Sequence, residues 1–304
     1  MMRADHGTAR GRGESSATEE SSPEVRYGYD PGCSRPPGGG AGEDAVLEVA
    51  SALGLTLEEI EEPGGCGREA RAMNAIPAYA RVGRLLAVAA RQLAAREDAS
   101  VPPSVVTPCS ACFRNLSRAR SSLATHADLR DRVAEELAVT GLSLDPGSVR
   151  VRHLLDVLYE DAGPDEIRRR VTNPLTHLCV APYTGCLVAR SGIPEPGLEN
   201  PGPPGRLEEI LSALGADVVD FPLKAHCCGG RAAEASEEVA TSLHHRILRS
   251  AADHGADVIV VVCPRCLRNL EAGQEPVNRR FRTRFAIPVR YFTDLVAEAL
   301  GVRS

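Results

Sequence analysis

Nine of the ten cysteines in this 304-residue chain fall into one pattern written twice. The first copy is Cys33, then Cys66 between Gly65 and Gly67, then Cys109 and Cys112 as Cys-x-x-Cys. The second is Cys186, then Cys227-Cys228 followed by Gly229-Gly230, then Cys263 and Cys266. Thiolates can ligate a metal, run dithiol redox chemistry, or sit inert in a core. Zinc modules place their second ligand pair about 15 to 20 residues from the first, whereas here a whole half of the chain separates the two Cys-x-x-Cys pairs. A thioredoxin-like dithiol leaves Cys33, Cys66, Cys186, Cys227 and Cys228 without a role. Inert core thiols have no reason to recur at matched places. Iron-sulfur clusters take about four thiolates each, and both copies supply that many. A zinc scaffold remains distinguishable, as a colourless protein with zinc and no sulfide.

Other parts of the sequence repeat with the cysteines. Tyr29-Asp30-Pro31-Gly32-Cys33 matches Pro182-Tyr183-Thr184-Gly185-Cys186, and Arg114-Asn115-Leu116 matches Arg268-Asn269-Leu270 after each Cys-x-x-Cys. Val151-Arg152-His153-Leu154-Leu155-Asp156 resembles Val289-Arg290-Tyr291-Phe292-Thr293-Asp294. Equivalent cysteines are offset by 153 for the first pair and by 154 for both members of the Cys-x-x-Cys. A duplicated module is the natural reading, with a tail over 1–25 and modules over 26–172 and 173–304.

Short β-branched runs separated by amphipathic stretches predict βαβ units. Strands are expected at Val25 to Tyr29, Ser104 to Thr107, His177 to Ala181, Asp217 to Phe221, Asp257 to Cys263 and Pro288 to Phe292. Helices are expected at Glu43 to Leu53, Ala72 to Arg96, Ala127 to Val139, Leu154 to Asp161, Leu207 to Leu214, Glu234 to His254 and Thr293 to Leu300. Gly54, Gly215, Gly255 and Gly301 stand where left-handed C-terminal caps belong. The fold class is therefore α/β, with parallel sheets in two homologous modules. Each Cys-x-x-Cys closes a strand and opens a helix. The carboxyl ends of parallel strands converge on a crevice, so cysteines distant in sequence can meet there, and the clusters belong at those strand ends.

Composition narrows the function classes. A net charge of -6 with no long basic run argues against a nucleic-acid binder. The apolar stretches around Asp257 to Cys263 and Leu85 to Leu93 fall far short of the roughly 20 residues a membrane span needs. Met1 to Glu24 lacks the apolar core of a secretory signal and reads as a disordered tail. A cytoplasmic, reducing location follows, where a disulfide framework is not expected. Arg35 to Gly42 and Gly192 to Gly205 read as surface loops.

A single cysteine, then Cys-Cys-Gly, then Cys-x-x-Cys, given twice, resembles the CCG cysteine-rich domain of the B subunits of heterodisulfide reductases. The likeness covers almost the whole chain after the tail. It includes Tyr27-Gly28-Tyr29-Asp30-Pro31-Gly32-Cys33, Leu214-Gly215-Ala216-Asp217 and Ile287-Pro288-Val289-Arg290-Tyr291-Phe292-Thr293. Related modules occur in glycolate oxidase iron-sulfur subunits. The resemblance implies that each module binds a noncubane [4Fe-4S] cluster through five cysteines and that a disulfide is reduced, or formed, between the two clusters. Electrons would arrive through a ferredoxin-like iron-sulfur partner of the family's C type from a flavin-containing partner of its A type. Carried over, Cys186, Cys227, Cys228, Cys263 and Cys266 form a complete second set, catalytic through its cluster. Cys33, Cys66, Cys109 and Cys112 form a first set one short, because Gly65 stands where the family has a cysteine. A cubane or altered cluster is expected there. The alternative function is a non-catalytic electron-transfer subunit of a flavoprotein oxidase or dehydrogenase complex.

Outside these sets, Cys179 lies on a predicted strand and is expected to be a buried apolar thiol. His226, beside Cys227, could donate a proton to a leaving thiolate. Lys224 is the only lysine and is expected to be solvated. His153 is expected to pack at a helix start with no chemical role, and the His244-His245 pair to be structural or exposed. Arg114 and Arg268 recur after each Cys-x-x-Cys and could either offset cluster charge or face solvent.

Overall fold

A computed structural model describes residues 25–34, 41–61, 66, 76–94, 103–189, 205–230, 232 and 236–302. The tail, the loops expected near 35–40 and 192–204, and Gly65 with Gly67 lie outside the described residues. The first half contains β1 (Val25–Tyr29), α1 (Ala41–Ala52), β2 (Leu55–Glu59), α2 (Ile76–Leu93), β3 (Ser104–Thr107), α3 (Ser110–Thr125), α4 (Ala127–Ala138), β4 (Arg150–His153), α5 (Leu154–Val157) and α6 (Pro164–Arg170). The second contains β5 (Cys179–Tyr183), α7 (Gly185–Ala189), α8 (Arg206–Ala213), β6 (Asp217–Val218), α9 (Glu237–Asp253), β7 (Val258–Val261), α10 (Pro264–Ala272), α11 (Gln274–Phe281), β8 (Val289–Tyr291) and α12 (Phe292–Leu300).

Two all-parallel sheets result, ordered β2-β1-β3-β4 and β6-β5-β7-β8. The two orders are the same, as the internal repeat requires. Register repeats as well. Tyr29 lies opposite Val106, and Tyr183 opposite Val261. The central strands β3 and β7 are buried at every position, which suits strands covered by helices on both faces. From β1 the chain steps to one neighbour and then crosses to β3 on the other side. The β1/β3 boundary, like β5/β7, is therefore a topological switch point, where α/β sheets open a crevice.

Two strands escape a reading of the sequence. β2 is an edge strand whose residues after Leu55 are only partly covered, so its polar text Thr56-Leu57-Glu58-Glu59 carries no continuous apolar signal. β4 is four residues long and alternates exposed with buried positions. Four predicted strands shift or shorten by a few residues. The expected strand over Asp217 to Phe221 reduces to Asp217–Val218, with Phe221 buried against Tyr183 instead. The helix expected over Leu154 to Asp161 is one α-helical turn followed by a π-helical turn over Leu158–Ala162. The four predicted glycine caps all have positive φ.

The halves are joined by polar as well as apolar contacts. α1 packs on α12 and α3 on α7. The backbone N–H groups of Thr172 and Asn173 both donate to the Ala299 carbonyl at 2.9 Å. Asp156, after β4, pairs with Arg206 on α8, and both side chains are largely buried. Burial lifts the Asp156 carboxyl to about 6 in spite of the opposing pull of Arg206.

Candidate metal centre

In the first half, β1 ends at Tyr29 and a 3-10 turn over Gly32–Ser34 carries Cys33 back toward the amino end of α3. Cys109 is the residue that caps α3, and Cys112 lies in its first turn. The Sγ atoms of Cys33, Cys109 and Cys112 lie within 4.8 Å of one another. Cys112 Sγ stands 3.5 Å from Cys33 Sγ and accepts the Cys33 backbone N–H at 3.4 Å. So close an approach requires glycine at position 32, where φ is +50 and a Cβ would stand 2.6 Å from Cys112 Sγ. Cys66 joins them from the segment after β2. It is buried, in hydrogen-bond contact with Cys112 and Cys33, and its Sγ accepts Asn115 Nδ2 at 3.6 Å.

The second half repeats the arrangement. Cys263 caps α10, and its sulfur accepts the backbone N–H groups of Arg265 and Cys266. Cys228 Sγ lies 3.3 Å from Cys266 Sγ and accepts Asn269 Nδ2 at 3.4 Å. Cys227 Sγ accepts the Gly229 N–H at 3.4 Å. Cys186 opens α7 directly after β5. All of Cys266, Cys228, Cys186 and Cys227 act on the hydroxyl of Tyr183, whose acidity is suppressed first by burial and then by these sulfurs. That hydroxyl donates to the His226 carbonyl at 2.5 Å.

The electrostatics of the halves differ. Cys66, Cys109 and Cys112 all stand above the usual thiol range. For Cys112, contacts with Cys109, Cys33 and Cys66 raise the thiol, and burial adds to them. For Cys66, the lowering hydrogen bond with Cys112 is the strongest single influence, but Cys33 and burial together outweigh it. In the second half Cys228 is lowered to about 7 by its hydrogen bonds with Cys266, Asn269 and the Gly230 N–H, against burial. Cys263 is held well below the usual range, first by Cys109 and then by Cys266. Cys266, which donates to both, is pushed up.

The hydrogen bond between Cys109 and Cys263 joins the two sets across the contact between the halves. Two further bonds hold it. Ser110 Oγ donates to the Val262 carbonyl at 3.1 Å, and Tyr291 Oη donates to the Pro108 carbonyl. Each half thus grips the residue preceding the other half's first Cys-x-x-Cys sulfur. His153, the counterpart of Tyr291, is fully buried; its Nδ1 accepts the Leu155 N–H at 3.1 Å, and its Nε2 lies 3.4 Å from Ser110 Oγ.

Other expectations fare variously. Cys179 is not a buried apolar thiol. It is half-buried at the start of β5, where its backbone N–H donates to Asp257 and its Sγ lies 3.7 Å from Asp217. The predicted strand begins two residues too early, which placed Cys179 mid-strand instead of at the open end. His226 is exposed beside Cys227. Lys224 is paired, its Nζ 2.7 Å from Glu208, and its carbonyl accepts the Gly185 N–H at 2.8 Å. Arg268 is exposed and Arg114 half-buried. His245 stacks on Phe281, at 3.9 Å between ring centroids. His244 is buried, with Nε2 2.8 Å from the Cys228 carbonyl. It therefore anchors the Cys-Cys-Gly turn, and no spacing signal in the sequence links it to that turn. Asn115 and Asn269 were visible only as members of a repeated triplet.

Buried thiols with N–H donors aimed at their sulfurs form a soft, low-dielectric ligand set that fits an iron-sulfur group. Among the described residues no helix is long and apolar enough to cross a membrane.

The CCG Cysteine-rich domain family matches residues 180–271, a span that includes the second cysteine set. The membrane anchor subunit of the 8-methylmenaquinol:fumarate reductase of Wolinella succinogenes is 32% identical over 279 residues, covering 91% of this chain and 92% of the relative. A protein of Archaeoglobus profundus named as like the B subunit of heterodisulfide reductase is 28% identical, covering 91% of each chain. The B subunit of the ferredoxin:CoB-CoM heterodisulfide reductase of Methanosarcina mazei is 30% identical, covering 71% of each. Among solved structures, a hypothetical protein from Helicobacter pylori shares the fold at a TM-score of 0.63 and 11% identity; the match covers 93% of this chain and 50% of that one. With the cysteine pattern, the duplicated sheets and these extensive likenesses in hand, the chain belongs to the CCG cysteine-rich family that contains the heterodisulfide reductase B subunits.

Proposed function

We propose that this protein is the iron-sulfur subunit of a heterodisulfide-reductase-like complex, an oxidoreductase working on a disulfide or thiol substrate. Cys186, Cys227, Cys228, Cys263 and Cys266 would hold a noncubane [4Fe-4S] cluster in a second module over 173–304. Cys33, Cys66, Cys109 and Cys112 would hold a cubane or altered cluster in a first module over 26–172. When bound, such a group supplies single electrons to sulfur chemistry. The observation that supports the reading is the meeting of the two halves beside Cys109 and Cys263, where Ser110 donates to the Val262 carbonyl and Tyr291 to the Pro108 carbonyl.

The chain's own groups divide the remaining work. The buried walls around Tyr29, Tyr183 and Phe221 exclude water. The α10 amino terminus and Asn269 direct N–H groups at sulfur. His226, exposed beside Cys227, is assigned the delivery of a proton to a leaving thiolate. Electrons would come from a ferredoxin-like partner and a flavin-containing partner in the cytoplasm.

Iron and acid-labile sulfide in anaerobically purified protein, with two dissimilar EPR or Mössbauer signatures, are expected. Two identical noncubane signatures would contradict the assignment for the first module. Incubating the reconstituted complex with candidate disulfides should release thiol. If none does, the protein is an electron-transfer subunit that binds no substrate. The Wolinella relative favours that second reading, because its name couples a quinol to fumarate and includes no disulfide.

A further inference from the structure

The Arg-Asn-Leu triplet after each Cys-x-x-Cys contains a side chain that ligation itself does not use. Asn115 and Asn269 each lie three residues beyond the second cysteine of their pair, hence on the same helical face. In both halves the carboxamide Nδ2 donates to the sulfur of the central turn's cysteine: Asn115 to Cys66 at 3.6 Å and Asn269 to Cys228 at 3.4 Å. The same bond in two copies whose other side chains have diverged points to a shared purpose. In the second half the backbone is shaped around it. A Cβ at Gly230 would stand 2.7 Å from Asn269 Nδ2, and the Gly230 carbonyl is held by Arg265 at 3.1 Å.

We infer that Asn115 and Asn269 are positioning residues that aim the Cys66 and Cys228 sulfurs and raise the reduction potential of the group those sulfurs hold. This rests on the iron-sulfur reading proposed above. Hydrogen bonds to ligand sulfurs are among the factors that set such potentials. The N–H dipole presents its positive end to sulfur, so it favours the more negative, reduced state. Removing the donor should lower the potential.

The test uses the full chain purified anaerobically, with iron and sulfide content, melting temperature and an EPR-monitored redox titration measured on each variant. Asn269→Leu should keep its iron and sulfide while its reduction equilibrium shifts about tenfold toward the oxidised form, about 59 mV for one electron. Gly230→Ala, which displaces the carboxamide without removing it, should move the potential the same way by less, and should add nothing to Asn269→Leu in the double variant. An unmoved potential in an iron-replete Asn269→Leu protein overturns the inference and leaves the iron-sulfur assignment standing. Additive shifts in the double variant overturn it as well. Should Asn269→Leu fail to fold or to retain iron, Gly230→Ala alone decides, and an unchanged potential there overturns the inference. A wild-type protein free of iron and sulfide would instead overturn the function on which the inference rests.

Discussion

The two halves follow one chain path through sheets of identical strand order, yet they do not perturb their thiols alike. In the first, Cys33, Cys109 and Cys112 crowd within 4.8 Å and Cys66, Cys109 and Cys112 all stand above the usual thiol range. In the second, Cys228 and Cys263 are held below it, Cys228 at about 7, while Cys266, which donates to both, stands well above it. Burial is common to both. Thiol neighbours act first in both halves: Cys228 accepts from Cys266, and Cys263 from Cys109 and Cys266, each with further N–H donors behind them, whereas Cys112 is raised by Cys109, Cys33 and Cys66. A fold can therefore fix the place of a metal centre and leave its electronics to a few donors around it.

Ligand removal should break the comparison most severely. Cys228→Ser is expected to abolish the second-module EPR signature and about half of the iron, with Cys66→Ser doing the same to the first module alone; iron and sulfide analysis checks both. Gly65→Cys sharpens the same contrast, since a fifth thiol should make the first signature resemble the second.

The contact between the halves comes next. Arg206→Met leaves Asp156 buried without its partner, which typically costs about 3 to 5 kcal/mol and should appear as a lowered melting temperature in the full chain.

A third, somewhat smaller effect concerns His153, whose counterpart in the second half is Tyr291. Burial holds His153 at about 4 against an ordinary 6.5. The folded state thus favours the neutral ring, so its contribution is fully present above pH 6.5 and is lost as pH falls through about 4. The size is about 3 kcal/mol. Asp156 runs the other way: raised to about 6, it contributes fully below its ordinary 3.8 and loses that contribution as pH rises through 6. His153→Phe should therefore gain stability relative to the parent as pH drops from 6.5 to 4, measured by denaturant titration at each pH.

The smallest effect expected is at Lys224. Its pair with Glu208 is 41% exposed on the lysine side, so Lys224→Ala should change stability by under about 1 kcal/mol. Loss of the second-module signature in that variant would show that the loop it belongs to, and not the ligands alone, holds the site.

Much of this was legible in the residues. The nine repeated cysteines, the glycines between them and the Cys-x-x-Cys at each strand end are local features, and local spacing decides what one turn or one helix start can present. β3 and β7 were readable because a strand buried on both faces must be apolar throughout. β2 was not, because an edge strand is half solvated and its text is correspondingly mixed. Cys179 was misplaced for a related reason: two residues of error at a strand end separate a core position from an open one.

By itself, the sequence determined the repeated cysteine pattern and the α/β class. Tertiary structure alone decided that Cys109 meets Cys263, that His244 anchors the Cys228 carbonyl, and that Asn115 and Asn269 donate to sulfur. Those contacts join residues 16 to 154 positions apart, and no local periodicity encodes them. They exist because each sheet brings its strand ends together and the ends of β3 and β7 meet through Ser110, Val262, Cys109 and Cys263.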